Sequence, residues 1–273
     1  MAIAAPRRRQ RDPEGRMPLR AHLTELRKRF VRSAVAILIG AVGGWFVYRP
    51  LFEAAAAPII HIQEERGIQA SINFGSVAGA FNLQVQTSIV IGVVLASPVW
   101  LYQLWAFITP GLTRKERRSS FAFVGAAVPL FLGGAALAWV LLPRAIEFLY
   151  EFIPAGGSAV TDASIYFSFV TRIVLAFGIA FVIPVIMVSL NLVGLLPGRV
   201  LLKHWRIIVF ACFLFAAIAT PTPEATSMVI LAGAMCVLFA IAIAICLLAD
   251  RRKSRRAPDL ESIPDDQASP IQP

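Results

Sequence analysis

Residues 121–142, FAFVGAAVPLFLGGAALAWVLL, form an apolar stretch without a single charged side chain. A helix rises about 1.5 Å per residue, so about 20 apolar residues cross the roughly 30 Å hydrocarbon core of a bilayer. The stretch lacks the period-two alternation of a barrel strand. Because lipid offers no hydrogen-bond partner to a bare backbone, this stretch is predicted to be a membrane-spanning helix.

Five further apolar stretches accompany this one along the chain. The six predicted spans cover about residues 33–48, 85–109, 121–142, 165–192, 207–220 and 226–249. The fifth is short, because only 14 residues, about 21 Å of helix, separate Arg206 from Pro221. Pro98 and Pro184 are expected to kink the second and fourth spans. The sequence therefore predicts an all-α integral membrane protein with six transmembrane helices.

The segments that flank the spans complete the predicted domain organisation. An amphipathic helix is predicted over 18–32, because four apolar side chains recur there at helical spacing. They are Leu19, Leu23, Leu26 and Phe30. Residues 1–17 are predicted to be a disordered basic arm, and 251–273 a disordered tail. Residues 18–250 then form one six-helix domain.

Positive charges are concentrated in the gaps between alternate spans. Of the 26 Lys and Arg residues, 22 lie in four segments: 7–32, 114–118, 199–206 and 251–256. Cytoplasmic segments carry the Lys and Arg excess in membrane proteins, so both termini are predicted to be cytoplasmic in a plasma-membrane protein. The net charge of +10 is thereby explained by topology rather than by nucleic-acid binding.

The sequence shows no pattern typical of an enzyme. Cys212, Cys236 and Cys246 lie inside apolar spans without CxxC spacing, as small buried hydrophobes do. There is no cluster with metal-ligand spacing, no Gly-rich phosphate loop and no nucleophile elbow. We therefore expect no catalytic residue, metal or cofactor.

Two carboxylates in the basic segments are candidates for a binding site. Glu25 has Lys28 and Arg29 three and four residues later, and Glu116 lies between Lys115 and Arg117. Ordinary salt bridges, worth about 0.2–0.5 kcal/mol on a helix, are one interpretation of both. The other is a site for a guanidinium-rich ligand, since an arginine fork fits a carboxylate bidentately and a lysine does not. Spacing alone leaves both open.

Two motifs resemble a known family. HLTELRKR at 22–29, and SPVWLYQLWAFITPGL at 97–112 followed by ERR at 116–118, are similar to the TatC family, the multi-spanning subunits of the twin-arginine protein translocase. Shorter similarities occur at Phe177-Gly178, Pro184-Val185 and Thr220-Pro221. The resemblance extends over about residues 18–250. The basic arm and IPDD at 263–266 are similar to actinobacterial members.

The resemblance implies a cupped six-helix receptor and scaffold. It implies binding of twin-arginine signal peptides of folded cargo proteins at the cytoplasmic face, and recruitment of TatA-like and TatB-like single-span subunits for transport driven by the proton-motive force. Glu25 and Glu116 would contact the arginine pair, with Arg27 supporting the N-terminal helix and Phe107 beside the loop. A homo-oligomer within a larger complex, in contact with membrane lipids, is implied as well.

A second implied site lies between the fifth and sixth spans. Glu224 is either a solvated residue in a turn set by Pro221 and Pro223 or, by the resemblance, a contact for the single-span partners, joined by Ser227. Polar pairs between membrane helices contribute roughly 0.6–2 kcal/mol. Met228 stands where many members carry Gln, so part of this polar contact is expected to be missing.

The fourth span departs from the family pattern. Val182 occupies the position before the proline region that usually carries Glu, and no intramembrane carboxylate replaces it. Arg172, ten residues nearer the outside, is expected to extend to the outer interface. The alternative function is a small-solute secondary transporter. That class predicts repeated halves or polar groups near the midplane, and the spans contain little beyond Asn191 and scattered Ser and Thr.

Overall fold

The computed structural model describes residues 19–66, 69–108, 114–154, 157–219 and 225–254. The predicted basic arm and most of the predicted tail lie outside these residues. The described elements, in chain order, are α1 Leu19–Arg66, β1 Gln69–Asn73, α2 Val77–Leu95, α3 Ser97–Ile108, α4 Arg114–Glu151, β2 Ser158–Asp162, α5 Ala163–Val193, α6 Gly198–Lys203, α7 Trp205–Ala219 and α8 Ala225–Ser254.

The helices confirm the predicted fold class. Five of them, α1, α2, α4, α5 and α8, contain segments long and apolar enough to cross a membrane. The sixth apolar helix, α7, has only 15 residues, in agreement with the short fifth span expected from the sequence. The short helix α6 precedes α7 and was not predicted.

The first helix corrects the boundaries expected from the sequence. An amphipathic helix over 18–32 and a span ending near residue 48 were expected as two elements, but α1 is one helix of 48 residues that contains Pro50 and Pro58. Its far half is buried through Ala55, Ile59 and Ile62. Packing of this half against α4 and α5 outweighs the loss of backbone hydrogen bonds at the two prolines. At about 72 Å, α1 is much longer than a bilayer core is thick.

The second predicted span, 85–109, is two helices rather than one kinked helix. Helix α2 ends at Leu95 and α3 begins at Ser97, with Ala96 between them. Pro98 has no N–H to donate and its ring disfavours a helical conformation in the preceding residue, so the chain breaks just before it. In contrast, α4 continues through Pro143 to Glu151, nine residues beyond the predicted end of the third span at 142.

A two-stranded parallel sheet links two segments far apart in sequence. In its register, Gln69 pairs with Ser158 and Asn73 with Asp162. Neither strand was predicted, because five residues are too few to show an alternating pattern. Beneath the sheet, Tyr166 Oη donates a hydrogen bond to the Ala55 carbonyl oxygen. This end of the bundle is called the sheet face.

Glycines allow α1 and α2 to pack at close range. A Cβ atom on Gly92 would lie 2.5 Å from the Ile37 carbonyl oxygen, and one on Gly40 would lie 2.8 Å from the Gly92 carbonyl oxygen. On Gly44, a Cβ would lie 2.6 Å from the Ser88 carbonyl oxygen. Small residues at this spacing are typical of membrane helix pairs, in which close backbone contact replaces the hydrophobic effect.

Position 182 belongs to an apolar cluster formed by α3, α4 and α5. Val182 is only 3% exposed, and its cluster partners are Leu101, Trp105, Phe123, Ala127 and Phe131. The adjacent helix contact is close, since a Cβ on Gly178 would lie 2.7 Å from the Phe131 ring. Position 182, where the chain differs from the family pattern, is therefore closely packed by apolar side chains.

Side-chain contacts establish which helix ends lie together opposite the sheet. The start of α1 contacts the end of α3 through His22 and Phe107, and the end of α5 contacts the end of α8 through Asn191 and Asp250. Both described chain ends therefore lie at this end of the bundle. It carries most of the described cations, and we call it the basic face. They are Arg20, Arg27, Lys28, Arg29, Arg32, Arg199, Lys203, Arg206, Arg251, Arg252 and Lys253.

Candidate functional site

The first turns of α1 contact α3 through polar side chains. His22, Glu25 and Arg29 lie on one side of the helix, at positions i, i+3 and i+7. The His22 ring stacks on the Phe107 ring, with centroids 4.6 Å apart and planes inclined by 25°. Arg29 Nη1 donates to Gln103 Oε1 at 3.4 Å. Together these side chains form a polar junction between α1 and α3 at the basic face.

Glu25 is held in this junction by a neighbour on its own helix. Arg29 donates to Glu25 Oε1 from both Nε, at 3.1 Å, and Nη2, at 2.5 Å. The side chains of Glu25 and Arg29 are 27% and 19% exposed. Both hydrogen bonds go to Oε1, so Oε2 accepts none from the described residues. The carboxylate can therefore accept a further donor from outside.

The apolar stripe expected on the same helix faces away from the protein. Leu23, Leu26 and Phe30 are exposed, about a quarter turn around α1 from the polar junction. Such a face suits the lipid at a membrane interface, where apolar side chains are buried in the acyl region. The contact between the start of α1 and α3 is made by the polar side chains and not by the apolar stripe.

Of the other residues predicted for this site, Phe107 and Arg27 have described side chains and Glu116 does not. Phe107 is half-buried and stacks on His22, one turn before Glu25. Arg27 is exposed and forms no ion pair with a described residue. Glu116 belongs to the first turn of α4, and its side chain lies outside the described part of the structure.

Sequence analysis missed two members of this junction. His22 lies within the HLTELRKR motif, but only its stacking on Phe107 reveals a contact with α3. Gln103 was quoted in the second motif without a role, and it accepts a hydrogen bond from Arg29 across 74 positions of the chain. The i, i+3, i+7 spacing of polar residues on α1 was the signal available for this contact.

Of the residues predicted to contact partner subunits, only Met228 can be placed. It is half-buried and packs against the cluster that joins α4, α5, α7 and α8. Ser227 lies in the first turn of α8 with its side chain outside the described residues, and Glu224 lies outside them entirely. Met228 is thus part of the packing between helices at the start of α8.

Arg172 lines a groove between α5 and α7 near the sheet face. The groove has a volume of about 700 Å³, and its lining also includes Ser164, Ser168, Phe215 and Ile218. Arg172 is exposed, nine residues after the start of α5, which is about 14 Å along the helix axis. It lies on a different part of α5 from the buried Val182 and does not substitute for a carboxylate there.

The described residues contain no group of three or more His, Cys, Asp or Glu side chains that could hold a metal ion. What the structure presents instead is six apolar helices with one strongly basic end. Together with the polar junction of α1 and α3, these features define the class of multi-pass membrane proteins.

Comparison with known proteins identifies the family. The family profile described as TatC, Sec-independent protein translocase protein, matches residues 21–233. The chain belongs to this family and is a component of the Sec-independent protein translocase. This membership confirms the resemblance noted in the two motifs, and it does not support the alternative of a small-solute transporter.

Individual relatives cover most of the chain. The Sec-independent protein translocase protein TatC of Xylanimonas cellulosilytica is 45% identical over 241 residues, which is 88% of this chain and 87% of the relative. TatC of Rothia mucilaginosa is 39% identical over 251 residues, 92% of this chain and 86% of the relative. Both relatives are actinobacterial, as the resemblance implied.

A solved structure has the same arrangement of helices. The crystal structure described as the twin arginine translocase receptor TatC superposes with a TM-score of 0.65 at 30% sequence identity. The match covers 84% of this chain and 100% of the solved chain. The fold found here is therefore the fold of that receptor.

Proposed function

We propose that this chain is the receptor and scaffold subunit of a twin-arginine protein export system, and that it binds signal peptides at the basic face. The observation that carries the proposal is the Glu25 carboxylate, which lies partly exposed in the polar junction with one oxygen free of described donors. Family membership supplies the ligand class, a peptide with two adjacent arginines.

The charges support a cytoplasmic location for the basic face. Cytoplasmic ends of membrane proteins carry the Lys and Arg excess. The sheet face, in contrast, combines few cations with several carboxylates, namely Glu53, Glu64, Glu147, Glu151 and Asp162. We place the basic face in the cytoplasm and the sheet face outside the plasma membrane, so that both termini are cytoplasmic.

A signal-peptide arginine would have to displace Arg29 from Glu25 or share the carboxylate with it. The pair between Glu25 and Arg29 is a contact at i, i+4 on one helix, which contributes about 0.2–0.5 kcal/mol. Bidentate binding of a guanidinium by a carboxylate adds a second parallel hydrogen bond and is stronger than a single neutral one. The exchange is therefore inexpensive, and Arg29 keeps its contact with Gln103. A lysine cannot offer the same fork.

Glu116 is proposed as the partner of the second arginine. It belongs to the first turn of α4, which follows the end of α3 after only five residues, 109–113. The start of α4 therefore lies at the basic face, as the first turns of α1 do. Phe107 at the end of α3 is proposed to border the bound peptide, with Arg27 supporting the first turns of α1.

A second surface is proposed for the single-span partner subunits. TatA-like and TatB-like helices would contact the start of α8 through Glu224, Ser227 and Met228, at the opposite end of the bundle from the signal-peptide site. A hydrogen bond between membrane helices contributes roughly 0.6–2 kcal/mol, so the apolar Met228 would weaken this contact compared with a polar side chain. Several copies of the chain are proposed to assemble with these subunits in the lipid bilayer.

Photo-crosslinking in membranes tests the receptor proposal. A signal peptide with two arginines is compared with the same peptide carrying two lysines, on the wild-type protein and on Glu25→Gln and Glu116→Gln. We expect crosslinks with the arginine peptide only, and a loss of about ten-fold or more in each variant, since a charge-assisted hydrogen bond contributes about 1.5–3 kcal/mol.

Glu53→Gln is the matched control for this experiment. Glu53 also pairs with an arginine four residues away on α1, Arg49, at 3.7 Å, but near the sheet face. Crosslinking should be unchanged in this variant. If the lysine peptide crosslinked as well as the arginine peptide, Glu25 and Glu116 would be ordinary salt-bridge partners. The same would follow if Glu53→Gln lowered crosslinking as much as Glu25→Gln and Glu116→Gln do.

A further inference from the structure

Two grooves open at the basic face beside the contact between α5 and α8. One, of about 500 Å³, lies between the ends of these two helices. The other, of about 630 Å³, lies between the turn after α5, helix α6 and the end of α8. Asn191, Asp250 and Lys253 line both. We call the two together the C-terminal grooves.

A network of hydrogen bonds lies between the two grooves. Asn191 Nδ2 donates to Asp250 Oδ1 at 2.9 Å and to the Leu196 carbonyl oxygen at 2.8 Å, while Asp250 Oδ2 accepts from the Gly198 N–H at 2.7 Å. Asn191 is 4% exposed, and its Oδ1 has no partner among the described residues. A buried acceptor without a partner is costly; a donor such as water would satisfy it, whereas a phosphate would not.

Cations surround this network. Arg252 and Lys253 line the first groove, and Arg199, Arg251 and Lys253 line the second. Among the described residues, Asp250 is the one carboxylate that lines the grooves, and both of its oxygens accept hydrogen bonds inside the protein. The Lys253 Nζ atom lies only 3.2 Å from the position of a Cβ on Gly194, so the ammonium group lies over the C-terminal end of α5. The grooves are therefore suited to an anion.

An exposed apolar stripe runs from these cations along α8. Its members are spaced by three or four residues and lead directly to Arg252. They are Val237, Ile241, Ile245 and Leu248. From Arg252 to Ile241 the helix rises about 16 Å, about half of the roughly 30 Å hydrocarbon thickness. A ligand with its anionic group on Arg252 could thus extend an apolar chain to about the middle of the bilayer.

We propose that the C-terminal grooves bind an anionic phospholipid. The phosphate contacts Arg252 and Lys253, and an acyl chain follows the stripe on α8 beside the exposed Leu192. Basic pockets between membrane helices on the cytoplasmic side are a recognised setting for lipid headgroups. A free phosphate would use the cations but leave the apolar stripe unused, and for this reason the proposal commits to a lipid. It does not rest on signal-peptide binding.

Native mass spectrometry of the full-length protein in detergent tests this proposal. Lipid-bound species are counted after addition of dioleoylphosphatidylglycerol or dioleoylphosphatidylcholine. We expect the anionic lipid to be retained more than the zwitterionic one. Arg252→Gln/Lys253→Gln should lower its retention about ten-fold, since each cation near an anionic lipid contributes several-fold to binding. Leu248→Asn should lower it as well, because it interrupts the apolar stripe.

Two further double variants serve as controls for this experiment. Lys203→Gln/Arg206→Gln removes the same charge from the basic face outside the grooves and should retain the lipid, and Arg252→Lys/Lys253→Arg should retain it because both charges remain. Equal retention of the two lipids by the wild-type protein would overturn the proposal. It would also be overturned if Lys203→Gln/Arg206→Gln lowered lipid retention as much as Arg252→Gln/Lys253→Gln does. Displacement by millimolar inorganic phosphate, with no effect of Leu248→Asn, would show a free-phosphate site instead.

The segment after Ser254 offers one more competing occupant, since it contains Asp259, Glu261, Asp265 and Asp266. Truncation after Arg256, which removes the acidic residues and keeps Arg255 and Arg256, should leave lipid retention unchanged. Retention that appears only after this truncation would show that the acidic segment occupies the grooves in the full chain, and it would overturn the proposal.

Discussion

At the scale of single residues, Glu25 shows how a carboxylate in a salt bridge can also be proposed as a binding residue. Spacing alone left both interpretations open, and the structure shows that Glu25 does pair with Arg29. Because that pair uses only one carboxylate oxygen and is worth a few tenths of a kcal/mol, it holds Glu25 in position without occupying it fully. A weak internal partner is compatible with a strong external ligand.

This balance leads to a prediction for Arg29→Gln. Removing the internal competitor should raise crosslinking of the twin-arginine peptide about two-fold, which corresponds to the roughly 0.2–0.5 kcal/mol of the lost pair. The measurement is crosslink yield against peptide concentration in membranes. Arg49→Gln, which breaks the equivalent pair near the sheet face, should have no effect. A fall in yield for Arg29→Gln would mean that Arg29 itself contacts the peptide or that its bond to Gln103 positions α1.

Val182 leads to a second prediction at this scale. Introducing the carboxylate that is usual in the family, Val182→Glu, should strongly destabilise this protein, because the site is closed by Leu101, Trp105 and Phe131. Burial of an ionised carboxylate without a partner costs several kcal/mol or forces it to stay protonated. Thermal unfolding in detergent should show a lower Tm for Val182→Glu.

Val182→Met separates charge from volume in that measurement. It adds a side chain of about the size of Glu without charge, and overpacking alone costs about 1–3 kcal/mol. A Tm for Val182→Glu no lower than that for Val182→Met would show that the cluster accepts a carboxylate.

At the scale of elements, close helix contacts and helix breaks decide the architecture. Helix α1 continues through Pro50 and Pro58 where packing supports it, whereas the second span breaks at Ala96, just before Pro98. The sequence predicted a kink at Pro98 and gave no expectation for Pro50 or Pro58. The difference depends on what the neighbouring helices offer to the interrupted backbone.

The contact between α1 and α2 provides the prediction for this scale. Gly92→Ala should lower stability by about 1–3 kcal/mol, because its Cβ would lie 2.5 Å from the Ile37 carbonyl oxygen and backbone would have to move. Gly133→Ala is the matched control, since a Cβ there meets nothing within 4 Å. The control should be neutral or slightly stabilising, as Ala is the better helix former. Equal unfolding temperatures for the two variants would contradict the close contact.

At the scale of the whole molecule, charge separates the two ends of the bundle. The basic face contains the polar junction and the C-terminal grooves, whereas the sheet face contains the paired strands and most of the described carboxylates. The long α1 connects the two ends. Because its length exceeds the bilayer, its last turns, near Glu64, are expected to lie outside the hydrocarbon core.

Orientation in the membrane follows as the prediction at this scale. In a background without Cys212, Cys236 and Cys246, we place single cysteines at Glu64→Cys and Lys203→Cys. A membrane-impermeant maleimide should label position 64 in intact cells and position 203 only after permeabilisation, because cytoplasmic segments of membrane proteins carry the Lys and Arg excess. Each site serves as the control for the other. Labelling of position 203 in intact cells would invert the proposed topology.

The sequence by itself determined the membrane-spanning class, the approximate places of the six apolar helices and the separation of charge. These properties are additive along the chain. The length and hydrophobicity of stretches such as 121–142, together with the positions of Lys and Arg, are therefore sufficient to predict them. It also supplied the motifs that identify the family and pointed to Glu25. A candidate binding residue such as Glu25 can be found from the sequence because residue type and spacing already limit which ligands a side chain can bind.

Only the tertiary structure decided which side of α1 meets the protein, that Gln69–Asn73 pairs with Ser158–Asp162, and that Val182 is buried. It also brought Asn191, Asp250 and Gly198 together. Each of these depends on a partner many residues away, and no local pattern encodes the partner. The energy of such contacts comes from packing and hydrogen bonding across helices, which exists only after the chain has folded.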